Sequence, residues 1–284
     1  MTLRGPAGPL TAREVADLLA RHQHRPSRAL GQHFVVDPNT VRRIARLASV
    51  GPNDRVVEIG AGLGSLTLAL LETGAKVIAV EIDRHLLPIL REVVEPAGAQ
   101  VVGGDALTLD WSSLLPGDGW VLVANLPYNV ATPMVADLLD GVPAIARMLV
   151  MVQREVGQRL AAGVGDPGYG AVSVKVAYWA TARMVGRVPA GVFLPEPAVE
   201  SALVAIERRP VPAVDPAEVE PNELFALVRA GFAQRRKMLR RALAGRVDSE
   251  VFAGAGVRPE SRAEELDVAA WGRLAACARR RQVP

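Results

Sequence analysis

The sequence holds a single cysteine, Cys277, so no internal disulfide can form and no pair of thiolates is on hand for a zinc site. A reducing, cytoplasmic location is expected. No apolar stretch is long enough to span a bilayer, and Arg4, Arg13, Glu14 and Asp17 interrupt the N-terminal region, which argues against a signal peptide and against membrane insertion. Lysine is scarce: Lys76, Lys175 and Lys237 are the only three, so nearly all the positive charge is guanidinium. That suits bidentate phosphate contacts, although codon bias would leave the same mark. Aromatics make up only 4% of the chain, yet 50% of its 284 residues are hydrophobic and 22% charged, the balance of a packed globular protein rather than a disordered one. This length accommodates one large domain and one small one. The net charge of +3 permits a polyanionic partner without requiring one.

Along the chain, Thr11 and Glu14 form a capping-box pattern ahead of Val15, Leu18 and Leu19, which predicts a short N-terminal helix. Asp37 and Pro38 open a second, with Val41, Ile44, Ala45 and Ala48 on one face. Apolar runs at Val56–Ile59, Lys76–Glu81, Ala99–Gly103, Val121–Asn125 and Met148–Val152 then alternate with helical periodicity, as at Leu66–Leu71 and Val135–Leu139. Such alternation argues for a parallel sheet with helices on both faces. Proline-rich sequence from Arg209 to Pro221 reads as a linker. Beyond it, Asn222–Arg246 carries one or two helices and Val268–Arg280 another. The expected organisation is a domain over 1–208, of which 1–37 is an N-terminal helix and loop, a linker over 209–221, and a small helical domain over 222–284.

Glycines at Gly60, Gly62 and Gly64 stand between a strand and a helix, where they permit a sharp turn and close approach of a ligand to the backbone. A dinucleotide fingerprint would put its third glycine one residue later, at Ser65, which disfavours NAD. Glu81 ends the next strand, placed to accept both ribose hydroxyls of an adenosine ligand, and Asp105 follows the third, placed to accept its adenine amine. Singly, each acid is more often a helix cap or a solvated loop residue. In order, at three successive strand ends, they point to a nucleoside cofactor.

Asn125, Leu126, Pro127 and Tyr128 close the fourth strand. Adenine N6 is a poor nucleophile because its lone pair is delocalised into the ring. Acceptors around the amine favour the pyramidal geometry in which that lone pair points at an incoming methyl, so their stabilisation grows toward the transition state. The Asn125 side-chain oxygen and the Leu126 carbonyl can accept the two N6 hydrogens, Pro127 restricts the loop, and Tyr128 offers a face to an extruded base. The plainer alternative is an Asn-Pro turn beside a core tyrosine.

Taken together, Leu30–Phe34, Glu58–Gly64, Glu81–Asp83, Gly104–Asp105, Asn125–Tyr128, Gln153–Val156, Tyr169–Gly170, Phe193–Ser201 and Phe232–Lys237 resemble the KsgA family of ribosomal RNA adenine dimethyltransferases. The resemblance implies a Rossmann-like class I methyltransferase sheet, mostly parallel with an antiparallel last strand, and a small all-helical C-terminal domain. It implies S-adenosylmethionine as cofactor, contacted at His33, Val35, Gly60, Glu81, Asp105 and Asn125, with no metal. Phe193 would stack on the target base opposite Tyr128. The implied reaction is N6,N6-dimethylation of two adjacent adenosines in the 3′-terminal hairpin of 16S ribosomal RNA, within the immature 30S subunit, by a monomeric enzyme. His33, Val35 and Ala61 stand where the family commonly has Asn, Leu and Pro, so the roles of the first two side chains stay open.

From Phe225 to Val247 there is no acid, while Arg235, Arg236, Lys237, Arg240 and Arg241 accumulate, at spacings that put Arg236 with Arg240 and Lys237 with Arg241 on one helical face. A solvated face is one reading; phosphate contact is the one favoured beside an RNA enzyme. Arg21, Arg25 and Arg28 extend the same idea to the N-terminal side. The competing functions are a methyltransferase acting on large-subunit RNA, an assembly factor whose catalysis is dispensable, and an NAD-dependent oxidoreductase, which the glycine spacing opposes.

Overall fold

The computed structural model describes residues 8–27 and 29–282, so Arg28 and the first seven residues lie outside the described part. Helix α1 (Ala12–Arg21) begins at the expected capping box, with Thr11 and Glu14 each capping the other's backbone. Strand β1 (Phe34–Val35) leads to α2 (Pro38–Ala48), capped by Asp37 through the amides of Asn39 and Thr40. There follow β2 (Arg55–Ile59), α3 (Ser65–Leu71), β3 (Lys76–Glu81), α4 (Leu87–Val94), β4 (Gln100–Gly103), α5 (Trp111–Leu114), β5 (Trp120–Asn125), α6 (Ala131–Gly141) and β6 (Ile145–Gln153). The chain continues through α7 (Arg154–Leu160), α8 (Ala171–Trp179), β7 (Ala180–Val188), β8 (Phe193–Leu194) and β9 (Ser201–Arg208), and ends with α9 (Pro221–Ala233), α10 (Leu239–Ala242), α11 (Ser249–Ala255) and α12 (Val268–Gln282).

Seven strands form one sheet in the order β4-β3-β2-β5-β6-β9-β7. The first five run parallel, and β9 lies antiparallel to β6, with Arg147 opposite Glu207 and Gln153 opposite Ser201. Aliphatic side chains from both faces of the sheet meet helices: Val56, Val121, Val123 and Leu149 pack with α2 and α3, and Ala79 and Val101 with α1 and α4. Burial on both sides is why these strands read as continuous apolar runs rather than alternating ones. Chain order reverses between β2 and β5, which opens a crevice at their carboxyl ends, the place where open α/β sheets bind ligands.

Contact density divides the molecule into a unit running to Gly157 with Arg183–Glu207, and a second of Gln158–Ala182 with Arg208 onward. The boundary expected near residue 208 thus leaves out α8, whose Val174 and Tyr178, with Tyr169, are buried in a core shared with Phe225, Leu266 and Trp271. The Tyr169 hydroxyl donates to the Leu266 carbonyl at 2.8 Å. The proline-rich stretch is fastened to this unit, because the Ala213 amide bonds the Tyr178 carbonyl and Val219 is fully buried. The expected continuous basic face in the tail is interrupted. Helix α9 stops at Ala233, and the Leu239 and Arg240 amides bond the Ser261 and Pro259 carbonyls, so the segment between α9 and α10 is not helical.

Candidate active site

The crevice begins where β2 gives way to the glycine turn. Gly60 sits at φ +73°, and a Cβ there would lie 3.5 Å from the Asn125 carbonyl oxygen, so the turn after β2 and the loop after β5 meet backbone to backbone. Gly64 at φ +87° has another cause: a Cβ would fall 2.3 Å from Val94, so the absence of a side chain lets α3 close against α4.

Two adjoining cavities occupy the crevice and share the walls Leu30, Gly60, Ile82 and Pro127. The first is bounded by Val15, His33, Val35, Glu58, Glu81 and Asn125. The second reaches Asp105, Asn129 and Met134. Glu81 is buried, accepting the Gly62 amide at 2.7 Å on one carboxylate oxygen and the Asp83 amide at 2.9 Å on the other. Burial raises its pKa, partly opposed by those amides. Each oxygen keeps a second acceptor direction, the arrangement a ribose diol requires. Asp105 accepts the Leu107 amide at 2.9 Å through Oδ1. The positive-φ turn, the amide-bound carboxylate and the second acid one strand further fit an adenosine-bearing ligand laid across the strand ends.

Asn125 donates from Nδ2 to the His33 carbonyl at 3.0 Å, which fixes the amide and leaves Oδ1 free to accept. The Leu126 amide bonds the Met151 carbonyl and its side chain is buried, so the loop is anchored to β6. Pro127 lines both cavities. The Tyr128 hydroxyl shares a 2.7 Å hydrogen bond with Ser201 Oγ, and its ring stacks on His33 with centroids 5.6 Å apart and planes at 23°. His33 Nδ1 donates to the Pro195 carbonyl at 2.7 Å, which leaves Nε2 an acceptor in the neutral ring. His33 therefore donates toward a ligand only when doubly protonated. Val35 is buried and is among the residues that line the first cavity.

Phe193 is a correction. It is 4% exposed, pairs with Val35 between β8 and β1, and packs in the core with Leu149, Met151 and Leu203. A ring enclosed there cannot stack on a base in this arrangement. In the two-residue strand its neighbour Leu194 takes the outward face, an alternation that spacing alone does not reveal.

Glu58 was not singled out from the sequence. It is buried on the cavity wall, accepts the Thr67 hydroxyl at 2.6 Å, and has its pKa pushed up to about 8 by burial, with Glu81 adding to the rise against the Thr67 bond. The signal was available: an acid inside an otherwise aliphatic, doubly covered strand is costly to bury unless used. In the tail, Arg235 pairs with Glu264 at 2.5 Å and Arg240 with Glu260 at 3.4 Å, whereas Arg236, Lys237 and Arg241 have no carboxylate partner among the described residues.

The pattern of the family described as Ribosomal RNA adenine dimethylase matches residues 23–279. A ribosomal RNA small subunit methyltransferase A from Acidothermus cellulolyticus is 48% identical over 280 residues, covering 94% of each chain. Its counterpart from Kineococcus radiotolerans is 50% identical over 278 residues, covering 94% of this chain and 91% of the other. Among solved structures, a dimethyladenosine transferase from Plasmodium falciparum superposes with a TM-score of 0.71 at 24% identity, over 85% of this chain and 96% of that one. The 23S rRNA methyltransferase ErmE gives 0.67 at 25% identity, over 87% and 99%.

Proposed function

The chain belongs to the ribosomal RNA adenine dimethylase family, and from that premise we propose that it transfers methyl groups from S-adenosylmethionine to N6 of two adjacent adenosines in the 3′-terminal hairpin of 16S ribosomal RNA. The observation that carries the reading is the fixed amide of Asn125. With Nδ2 held by the His33 carbonyl, Oδ1 is left to accept, on a residue that lines the cavity at the strand-order reversal.

When bound, S-adenosylmethionine supplies an electrophilic methyl on its sulfonium. Glu81 accepts the cofactor's ribose hydroxyls, Asp105 its adenine amine, and the Gly60 turn leaves room along the backbone. His33 and Val35 wall the same cavity. Asn125 Oδ1 and the Leu126 carbonyl accept the hydrogens of the target N6 and favour its pyramidal form, an interaction that strengthens as the new C–N bond develops. Pro127 limits the loop's freedom, and Tyr128, braced by Ser201, gives the flipped base a stacking surface. Arg236, Lys237 and Arg241 in the tail hold RNA phosphates; Arg235 and Arg240 do so only by giving up acidic partners.

The substrate is the immature 30S subunit. The proposed site residues all lie on one chain, which supports a monomeric working form, and a ribosomal substrate supports a cytoplasmic one. Relatives at 48% and 50% identity carry small-subunit names, which favours 16S over large-subunit RNA. Labelled methyl offered separately to undermethylated small and large subunits tests the choice. Label should enter small-subunit RNA alone; label in large-subunit RNA would refute the 16S assignment.

A further inference from the structure

We propose that the cleft between the end of α1 and the loop after β3 is a second binding site for RNA backbone phosphate, held by Arg25 and Arg84. The proposal rests on the RNA-methylating function and adds to it a contact on the methyltransferase unit itself.

The cleft encloses about 540 Å³ and is lined by His22, His24, Arg25, Arg84 and His85. Three of the chain's four histidines gather at this one place. Asp83 is the only carboxylate on its walls and is turned inward: 7% exposed, it accepts the Gln32 side-chain amide at 2.7 Å and the His85 backbone amide at 2.9 Å. Burial works against its charge but is outweighed by the Gln32 and His85 hydrogen bonds and by the neighbouring His24 and His85 rings, so its pKa is lowered. Asp83 thus organises the floor. Glu92 of α4 is also occupied, pairing with Arg21 at 2.8 Å and His22 at 3.0 Å, which removes Arg21 from the free cations.

Arg25 and Arg84 remain. Both are exposed, and neither has a carboxylate partner among the described residues. Two guanidinium groups on one concave surface, neither paired with the acids there, repel one another unless an anion joins them, and guanidinium is shaped for phosphate. The turn that brings His24 and Arg25 here runs through Gln23 at φ +52°, a left-handed conformation that disfavours any residue with a side chain; the His24 amide closes it on the Leu19 carbonyl at 2.9 Å. Leu30 walls this cleft and both cavities of the active site. A phosphate bound at Arg25 and Arg84 therefore adjoins the crevice that carries Glu81, Asp105 and Asn125. S-Adenosylmethionine carries no phosphate, so the cleft does not duplicate the cofactor site.

The test is the salt dependence of binding of undermethylated small subunits by the full chain and by Arg25→Ala/Arg84→Ala. Two fewer neutralised phosphates should flatten the slope of log affinity against log salt by roughly 1.4 to 1.8, so from about 50 to about 200 mM salt the unaltered chain should lose roughly tenfold more affinity than the variant. Arg25→Lys/Arg84→Lys should keep most of the slope, and calorimetric affinity for S-adenosylmethionine should be unchanged in both variants. An unchanged slope in the alanine variant, while the unaltered chain binds and methylates, overturns the second site alone. Weaker cofactor binding in the alanine variant overturns it too, by exposing a structural defect. If the unaltered chain neither binds nor methylates the RNA, the functional reading fails and this site falls with it.

Discussion

Glu58 lies within β2, whose other buried residues, Val56, Val57 and Ile59, are aliphatic, and it keeps its proton to a pH of about 8 because burial penalises the charged form. A folded-state pKa raised above the ordinary 4.5 means the stabilisation is complete below that value and is lost as pH rises through about 8. Glu58→Gln keeps an acceptor for Thr67 and removes the titration. Urea unfolding at about pH 5 and about pH 8.5 should therefore show the unaltered protein losing stability relative to the variant as pH rises, on the order of a few kcal/mol at most. Parallel behaviour would mean that Glu58 is not buried as an acid. For Asn125 the proposed role predicts an effect on rate rather than on stability. Asn125→Ala at saturating cofactor should slow single-turnover methylation on the order of a hundredfold while RNA affinity changes little. Near-normal turnover would remove it from the mechanism. Glu81 and Asn125 each end a strand and Asp105 follows one by two residues, positions that apolar runs make visible, and strand ends on one edge of a parallel sheet converge. Phe193 was misread because its orientation is set by the β1–β8 pairing, which joins residues far apart in the chain.

At the scale of elements, the central strands and the caps of α1 and α2 were visible because their signals are local: apolar runs, a capping box, an Asp-Pro start. The pairs β1–β8 and β6–β9 depend on long-range partners, and the two-residue strands β1 and β8 are too short to show periodicity. The tail illustrates the same limit. Helical spacing put Arg236 with Arg240 on one face, but tertiary hydrogen bonds from Leu239 and Arg240 to Ser261 and Pro259 break the helix before that face forms. The consequence is unequal value among the five cations. Replacing Arg236, Lys237 and Arg241 with alanine should flatten the salt dependence of RNA binding by roughly two units, whereas replacing Arg235 and Arg240, already paired with Glu264 and Glu260, should flatten it less. Equal effects would show that those pairs open on binding.

For the whole molecule, the division into two units differs from the linear reading because α8 buries Val174 and Tyr178 with helices that lie far along the chain. A composition shift locates a linker, but it does not report which core an earlier helix joins. The sheet unit carries the crevice, the fixed Asn125 amide and the acids Glu81 and Asp105. The central claim is that these residues direct methyl transfer to adenine N6. It is tested most directly by mass mapping of small-subunit RNA after reaction of undermethylated subunits with the protein and S-adenosylmethionine. The account predicts two adjacent adenosines in the 3′-terminal hairpin, each carrying two methyl groups on N6; methyl groups on another base, on another adenine atom or on ribose would contradict it.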